Sequence, residues 1–264
     1  MYNHGMRMVS LASSSKGNCT YIESGDGKIL IDAGVSVAHI EKCLSMLKVN
    51  PQDINGIIVS HEHEDHIRGV GALSKKYNIP IFCFVKLKDV LVAKCNGAGK
   101  NVREFTTDFS VNGLHIYPIE VPHDSTCCHE FVVNDGTASV AIVTDCGAMS
   151  DRIVDSLKGV PLVYLESNYD DELLMQSRYP YSTKMRIRSN RGHLSNMACA
   201  QTIEKLVSMG TRQVVLSHIS ENSNSPTIAY STSKSYLMSK GIIEGVHVRI
   251  DIAKTMGPST VFRL

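Results

Sequence analysis

Six consecutive residues, His61-Glu62-His63-Glu64-Asp65-His66, constrain this chain more than any other segment. They follow directly on Gly56-Ile57-Ile58-Val59, a short apolar run rich in β-branched residues that reads as a buried strand. Side chains alternate along an extended segment, so His61 and His63 point to the same side and can grip one metal. A turn at Glu64-Asp65 then aims Asp65 and His66 at a second metal nearby. Nitrogen donors with one carboxylate suit zinc, manganese or iron better than calcium or magnesium. The competing reading is a polar surface loop. Imidazoles crowded this closely repel when protonated and are poor turn formers, which argues against it.

The rest of the composition narrows the class. The chain has 264 residues, 43% hydrophobic and 20% charged, which is ordinary for a globular protein. No apolar stretch is long enough to span a membrane. Met1-Tyr2-Asn3-His4-Gly5 lacks a basic-then-apolar export pattern, so a cytoplasmic protein is expected. The 8 cysteines include no C-x-x-C pair and read as reduced thiols. The net charge is +1, so any nucleic-acid site must be local.

Strand-like runs dominate the first half: Met6 to Ala12, Cys19 to Glu23 and Lys28 to Asp32, with Ser13 to Asn18 and Ser24 to Gly27 as turns. Ser36 caps a helix to about Lys48. Helices are expected near Ile67 to Tyr77 and Lys86 to Cys95, around a strand from Ile81 to Phe84. Strands return at Val102 to Phe105, Phe109 to Val111, Leu114 to Val121, His129 to Asn134 and Ser139 to Thr144. Asn112-Gly113 and Asp135-Gly136 mark hairpins. Strands Leu162 to Leu165 and Gln213 to Leu216 then alternate with helices Asp170 to Gln176, Asn196 to Met209 and Thr227 to Ser239. Pro226 stands at the first position of the last helix. Short strands His247 to Ile250 and Val261 to Leu264 close the chain. The expected fold is α/β: one domain over 1–264, two packed sheets with helices outside.

Two metals need further ligands. His123, Asp145 and His218 each follow a strand-like run, and Asp32 ends Ile29-Leu30-Ile31. Together these residues resemble the metallo-β-lactamase superfamily: an early Asp, His-x-His-x-Asp-His, then His, Asp and a final His. The resemblance implies an αββα sandwich with a dinuclear site at one edge. It implies that His61, His63 and His123 bind one metal, that Asp65, His66 and His218 bind the other, and that Asp145 bridges them. Asp32 would orient ligands by hydrogen bonds. His4, His39, His115, His129 and His247 read as surface or packing residues. Cys146, beside Asp145, is a lesser ligand candidate.

Such a centre generates hydroxide near neutral pH and serves carboxylic and phosphoric esters alike. Three features favour phosphodiesters. Between Glu172 and Glu204 there is no acid, while Arg178, Lys184, Arg186, Arg188 and Arg191 stand with Tyr179 and Tyr181, whose rings can stack on bases. If that segment is helical, Lys184, Arg188 and Arg191 share a face. His193 precedes Ser195 and Asn196 at a helix start suited to phosphate. The loop with Ser14, Ser15, Lys16 and Asn18 offers hydroxyls and amides. Solvated surface, an ordinary cap and an ordinary turn are the respective structural alternatives.

Glu166-Ser167-Asn168, Arg186-Ile187, the Gly192 to Asn196 run, and His218-Ile219-Ser220 with Asn224 and Pro226 are similar to the YycJ (WalJ) branch, a bacterial family associated with 5′-to-3′ DNA exonuclease activity. Ser14-Ser15-Lys16-Gly17-Asn18, Ile219 and Ser223 depart mildly from its pattern. Residues 146–217 leave no room for the inserted domain of β-CASP enzymes. The iron-binding redox branch tends to carry Glu where His63 stands, so iron is less expected than zinc or manganese. The expectation is a metal-dependent phosphodiesterase that shortens DNA from a 5′ end through a metal-bridging hydroxide. Asp65 would orient that hydroxide, His193 would hold phosphate or donate a proton, and Ser220 and Asn224 would add substrate contacts. The rivals are a hydrolase of small esters, lactones or thioesters, and a non-catalytic metal-binding regulator.

Overall fold

The computed structural model describes residues 5–95 and 97–264. The reading of the extreme N-terminus as free of an export pattern, and that of His4 as a surface residue, fall outside them. Among the described residues the strands are β1 (Arg7–Ser14), β2 (Gly17–Ser24), β3 (Gly27–Ile31), β4 (Gly56–Val59), β5 (Ile81–Phe84), β6 (Val102–Phe105), β7 (Phe109–Val111), β8 (Leu114–Val121), β9 (Cys128–Asn134), β10 (Ser139–Val143), β11 (Leu162–Glu166), β12 (Gln213–Ser217), β13 (Arg249–Ile252) and β14 (Phe262–Arg263). They form two sheets of 7 strands, in the orders β14-β1-β2-β3-β4-β5-β6 and β13-β12-β11-β10-β9-β8-β7.

The helices are α1 (Val37–Met46), α2 (Glu64–Ile67), α3 (Val70–Tyr77), α4 (Lys88–Lys94), α5 (Asp151–Ser156), α6 (Asp171–Gln176), α7 (Tyr181–Arg188), α8 (Asn196–Ser208) and α9 (Pro226–Ser239). Helices α1, α3 and α8 lie on the outer faces. Ile40 and Leu44 of α1, with Leu73 of α3, pack on Leu30 and Ile57 of the first sheet. Cys199, Ile203 and Leu206 of α8 pack on Val163, Leu165 and Val214 of the second. Between the sheets, Ile22, Ile29 and Ile58 meet Phe131, Ile142 and Tyr164. Both faces of the central strands are therefore covered, and the middles of β11 and β12, Leu162–Leu165 and Val214–Leu216, carry no charged residue, as expected of buried parallel strands. This is the αββα sandwich.

Several local expectations change. Ser13 to Asn18 is not a six-residue loop. β1 and β2 pair through Ser13↔Asn18 and Ser14↔Gly17, leaving Ser15 and Lys16 as the turn. Cross-strand hydrogen bonding outweighs the polar composition there. The helix expected from Ile67 to Tyr77 is two helices that break at Arg68-Gly69. A Cβ at Gly69 would stand 2.2 Å from the Val35 carbonyl oxygen, so the chain narrows at that point. Helix α5 was not foreseen in so short a segment. It is capped by Ser150, whose hydroxyl accepts from the Ile153 amide. Helix α7 ends at Arg188, so Arg191 lies beyond it and the shared face of Lys184, Arg188 and Arg191 does not form.

Candidate metal centre

The site gathers at the carboxyl ends of strands from both sheets, where open α/β sheets bind ligands. Asp32 follows β3, His61 and His63 follow β4, His123 follows β8, Asp145 follows β10, Glu166 ends β11 and His218 follows β12. Asp32 and His218 both hold left-handed backbone, φ 59° and 52°. Non-glycine residues adopt it only under constraint, and such strain concentrates at functional sites. His63 stands at the N-cap of α2, so Asp65 and His66 project from a short helix and not from a turn. The chain carrying Asp32 presses against that helix. A Cβ at Gly34 would lie 1.6 Å from the Asp65 carbonyl oxygen.

Two donor clusters result. His61 Nε2 lies 3.1 Å from His63 Nδ1, and His123 Nε2 lies 3.3 Å from the same His63 nitrogen. Ligands at about 2.1 Å from a tetrahedral zinc stand about 3.4 Å apart, so this trio has the spacing of a shared ion. Asp65, His66 and His218 form the second set, with Asp65 Oδ2 3.6 Å from His66 Nε2 and 3.8 Å from His218 Nε2. Asp145 lies between, Oδ2 2.8 Å from His66 Nε2 and Oδ1 3.9 Å from His123 Nε2. His218 Nε2 is buried without a hydrogen bond. Buried polar atoms are rarely left so, and a cation would satisfy it. The residues present fit divalent ions.

The charges agree. Burial and the neighbouring His66 push the His61 imidazole well below its ordinary pKa, leaving it neutral and able to donate a lone pair. Burial lowers His123 as well. Burial would raise the Asp145 carboxyl, but His218 and His66 hold it well below the usual range. Burial opposes protonation of His66, yet Asp32 and Asp145 outweigh it and raise its pKa. The acids of the second cluster demand positive charge, from protons or from metal.

Outer partners fix the donor side chains. Asp32 accepts from the Ser60 amide at 2.8 Å and hydroxyl at 2.7 Å, and its Oδ2 lies 2.7 Å from His66 Nδ1. Glu166, fully buried, does the same on the other side. Its Oε1 lies 2.7 Å from His193 Nδ1 and 2.9 Å from His218 Nδ1. Its Oε2 accepts from the Cys146 and Leu194 amides at 2.9 and 3.1 Å. Burial pulls the His193 imidazolium down, but Glu166 and Asp145 prevail and lift it to about 9. In the sequence Glu166 entered only through a family resemblance. Its position at the end of a strand-like run, like that of Asp145 and His218, was the available signal.

An open cleft of about 210 Å³ leads to the centre, lined by Ser15, Asn168, Tyr179, Thr183, Arg186, His193 and Ser220 beside the donors. Three of the expected substrate contacts, Ser15, Arg186 and Ser220, are there. Others have different work. Ser14 is buried and its hydroxyl accepts from the Lys16 amide; Lys16 pairs with Glu221. Asn18 is buried against His66, 3.0 Å from its Nε2. Ser195 caps α8 by accepting from the Ala198 amide, and the Asn196 amide bonds Tyr169, so that helix start is not an open phosphate site. Asn196 and Asn224 bond each other in the interior. Arg188 pairs with Asp171 at 3.1 Å, and Arg191 donates to the His123 carbonyl. Arg186 itself pairs with Asp124. The Cys146 thiol donates to the Ala148 carbonyl and belongs to no donor cluster among the described residues. The 8 cysteines form no disulfide among them. His39, His115, His129 and His247 bond or stack locally, away from the centre.

Comparison with known proteins agrees with this architecture. The beta-lactamase superfamily domain model matches residues 28–219. Exodeoxyribonuclease YycJ of Bacillus anthracis is 31% identical over 240 residues, 90% of this chain and 91% of that protein. Exodeoxyribonuclease WalJ of Streptococcus pneumoniae is 29% identical over 251 residues, 93% of each. The crystal structure of the metallo-beta-lactamase fold protein YhfI from Bacillus subtilis covers 98% of this chain and 99% of its own, with a TM-score of 0.72 and 16% identity, a likeness of fold. No helix among the described residues is long and apolar enough to cross a membrane. With the donor clusters in place and the family model spanning most of the sheets, this chain belongs to the beta-lactamase superfamily and is a metal-dependent hydrolase.

Proposed function

We propose that this protein is a phosphodiesterase that removes nucleotides from a DNA 5′ end, using two divalent ions, zinc or manganese. The observation that carries the reading is the pair of donor clusters joined at Asp145 and opening into a polar cleft with Arg186 on its wall. His61, His63 and His123 would hold one ion, Asp65, His66 and His218 the other, with Asp145 shared. Bound there, the ions supply nucleophilic water at neutral pH and stabilise charge on the transferring phosphoryl group. The protein's side chains do the rest. Asp65 accepts a hydrogen bond from the attacking water and aligns it. Asp32 and Glu166 keep His66 and His218 in the tautomer whose Nε2 is bare. His193, its Nδ1 proton held by Glu166, faces the substrate with Nε2 and donates a proton to the leaving oxygen or a hydrogen bond to phosphate. Arg186 exchanges its Asp124 partner for a phosphate oxygen.

The identity of both full-length relatives as exodeoxyribonucleases supports DNA as substrate. The cleft does not favour small apolar esters, since its lining is mostly polar and charged. The test uses purified protein with 5′-labelled and with 3′-labelled oligonucleotides in Mn²⁺ and in Zn²⁺. A labelled mononucleotide appearing first from the 5′ label, and lost in His63→Ala, is the expected result. A mononucleotide released first from the 3′ label would reverse the polarity. Hydrolysis of a lactone or thioester without cleavage of either oligonucleotide would overturn the reading.

A further inference from the structure

Beside the cleft lies a second depression of about 500 Å³, lined by Gln176, Ser177, Arg178, Tyr179, Glu221 and Asn222. Tyr179 lines both cavities and is the wall between them. The ring is held at each end. Its body packs on a small cluster of Tyr169, Leu174 and Ile187, and its hydroxyl accepts from Asn222 Nδ2 at 2.7 Å. A flat, fixed aromatic wall next to amide groups of Gln176 and Asn222 is chemistry for a nucleobase. The face stacks, and the amides offer both donors and acceptors to a base edge. Glu221 is the one acid of the depression, and Lys16 pairs with it, so its charge is balanced where a strand would pass. The metal centre needs only the phosphodiester.

The geometry points to a nucleobase subsite here: the depression holds a base flanking the scissile phosphate, stacked on Tyr179. This inference rests on the phosphodiesterase reading above and adds what positions the strand. A base anchored beside the cleft fixes the phosphate over the ions, and each released nucleotide lets the next base enter.

The test compares kcat/KM for an intact oligonucleotide with that for oligonucleotides abasic in turn at the terminal and penultimate 5′ positions. In the wild type, the abasic sugar at one of these positions lowers kcat/KM about 10- to 100-fold, the range of base–aromatic stacking. In Tyr179→Ala that intact-to-abasic ratio falls to near 1, while in Tyr179→Phe it stays close to the wild-type ratio. Because the substrate loses the base and the protein is untouched in the wild-type arm, a folding defect in Tyr179→Ala cannot imitate the result. A wild-type ratio near 1 at both positions, or a wild-type ratio retained in Tyr179→Ala, overturns the subsite. Absence of any oligonucleotide cleavage by the wild type is a different failure, that of the nuclease reading itself.

Discussion

Substituting Glu166 by Gln tests how the centre is built, because a glutamine keeps the shape and removes one acceptor. The carboxylate receives four contacts: two backbone amides on Oε2, at 2.9 and 3.1 Å, and two imidazole Nδ1 atoms on Oε1, at 2.7 and 2.9 Å. An amide has one oxygen and one NH2, so either orientation sets the NH2 against two donors. The backbone amides cannot change. The histidines can, by moving their proton to Nε2, and the glutamine NH2 therefore turns toward them. His218 Nε2, unpaired in the structure, then carries a hydrogen and cannot ligate until the tautomer is forced back. Disturbing such an outer partner typically costs 10–100-fold in metal affinity, or about 1.4–2.7 kcal/mol. The metal-free protein responds differently. Glu166 is buried with Asp145 nearby, and both contact His193 Nδ1, so losing one charge relieves repulsion while two charge-assisted bonds weaken. The two effects oppose, and the stability change is about 1–2 kcal/mol at most. Competition titration against a chromophoric chelator, with thermal unfolding of the chelated protein, separates the two quantities. Glu166→Gln should bind one ion as the wild type does and the other 10–100-fold more weakly. Wild-type affinity at both sites would show that Glu166 does not set the His218 tautomer.

Three further outcomes follow from the same geometry. Arg186→Ala should weaken oligonucleotide binding and reduce the slope of log affinity against log salt by about 1, whereas Arg188→Ala, whose guanidinium faces Asp171, should leave that slope as it is; binding across a salt series reads both. Gly34→Ala should abolish metal binding while leaving the protein folded, since the new methyl would stand 1.6 Å from the Asp65 carbonyl and must displace α2; bound metal counted by elemental analysis, beside circular dichroism, decides it. Acidification should release metal. Burial opposes protonation, but Asp32 and Asp145 raise the pKa of His66 in the metal-free protein and Asp145, Asp65 and Glu166 raise that of His218, so protons compete with ions more strongly as pH falls, and affinity measured by calorimetry should decrease from pH 8 to pH 6 with proton release on binding.

The sequence alone placed the two packed sheets and the candidate donor residues because both are written locally. A strand's period and a cluster of imidazoles can be read within a few residues. Each of Asp145 and His218 follows a buried apolar run, and the end of a strand is where side chains from different sheets meet. What lay beyond the sequence was which polar side chains face the cleft. Ser14, Asn18, Ser195, Asn196 and Asn224 have the composition of substrate contacts, yet each is taken up by its own turn, by its own helix end or by a partner distant in sequence. Arg186 and Arg188 are two residues apart on one helix, and only the packing of α7 turns the first toward the cleft and the second toward Asp171. Glu166 looks like an ordinary strand end until the folded sheets bring two histidines and two amides to its oxygens. A hydrogen bond depends on position to a few tenths of an ångström, and that position comes from contacts across the whole chain; periodicity survives in a short segment, and partner choice does not.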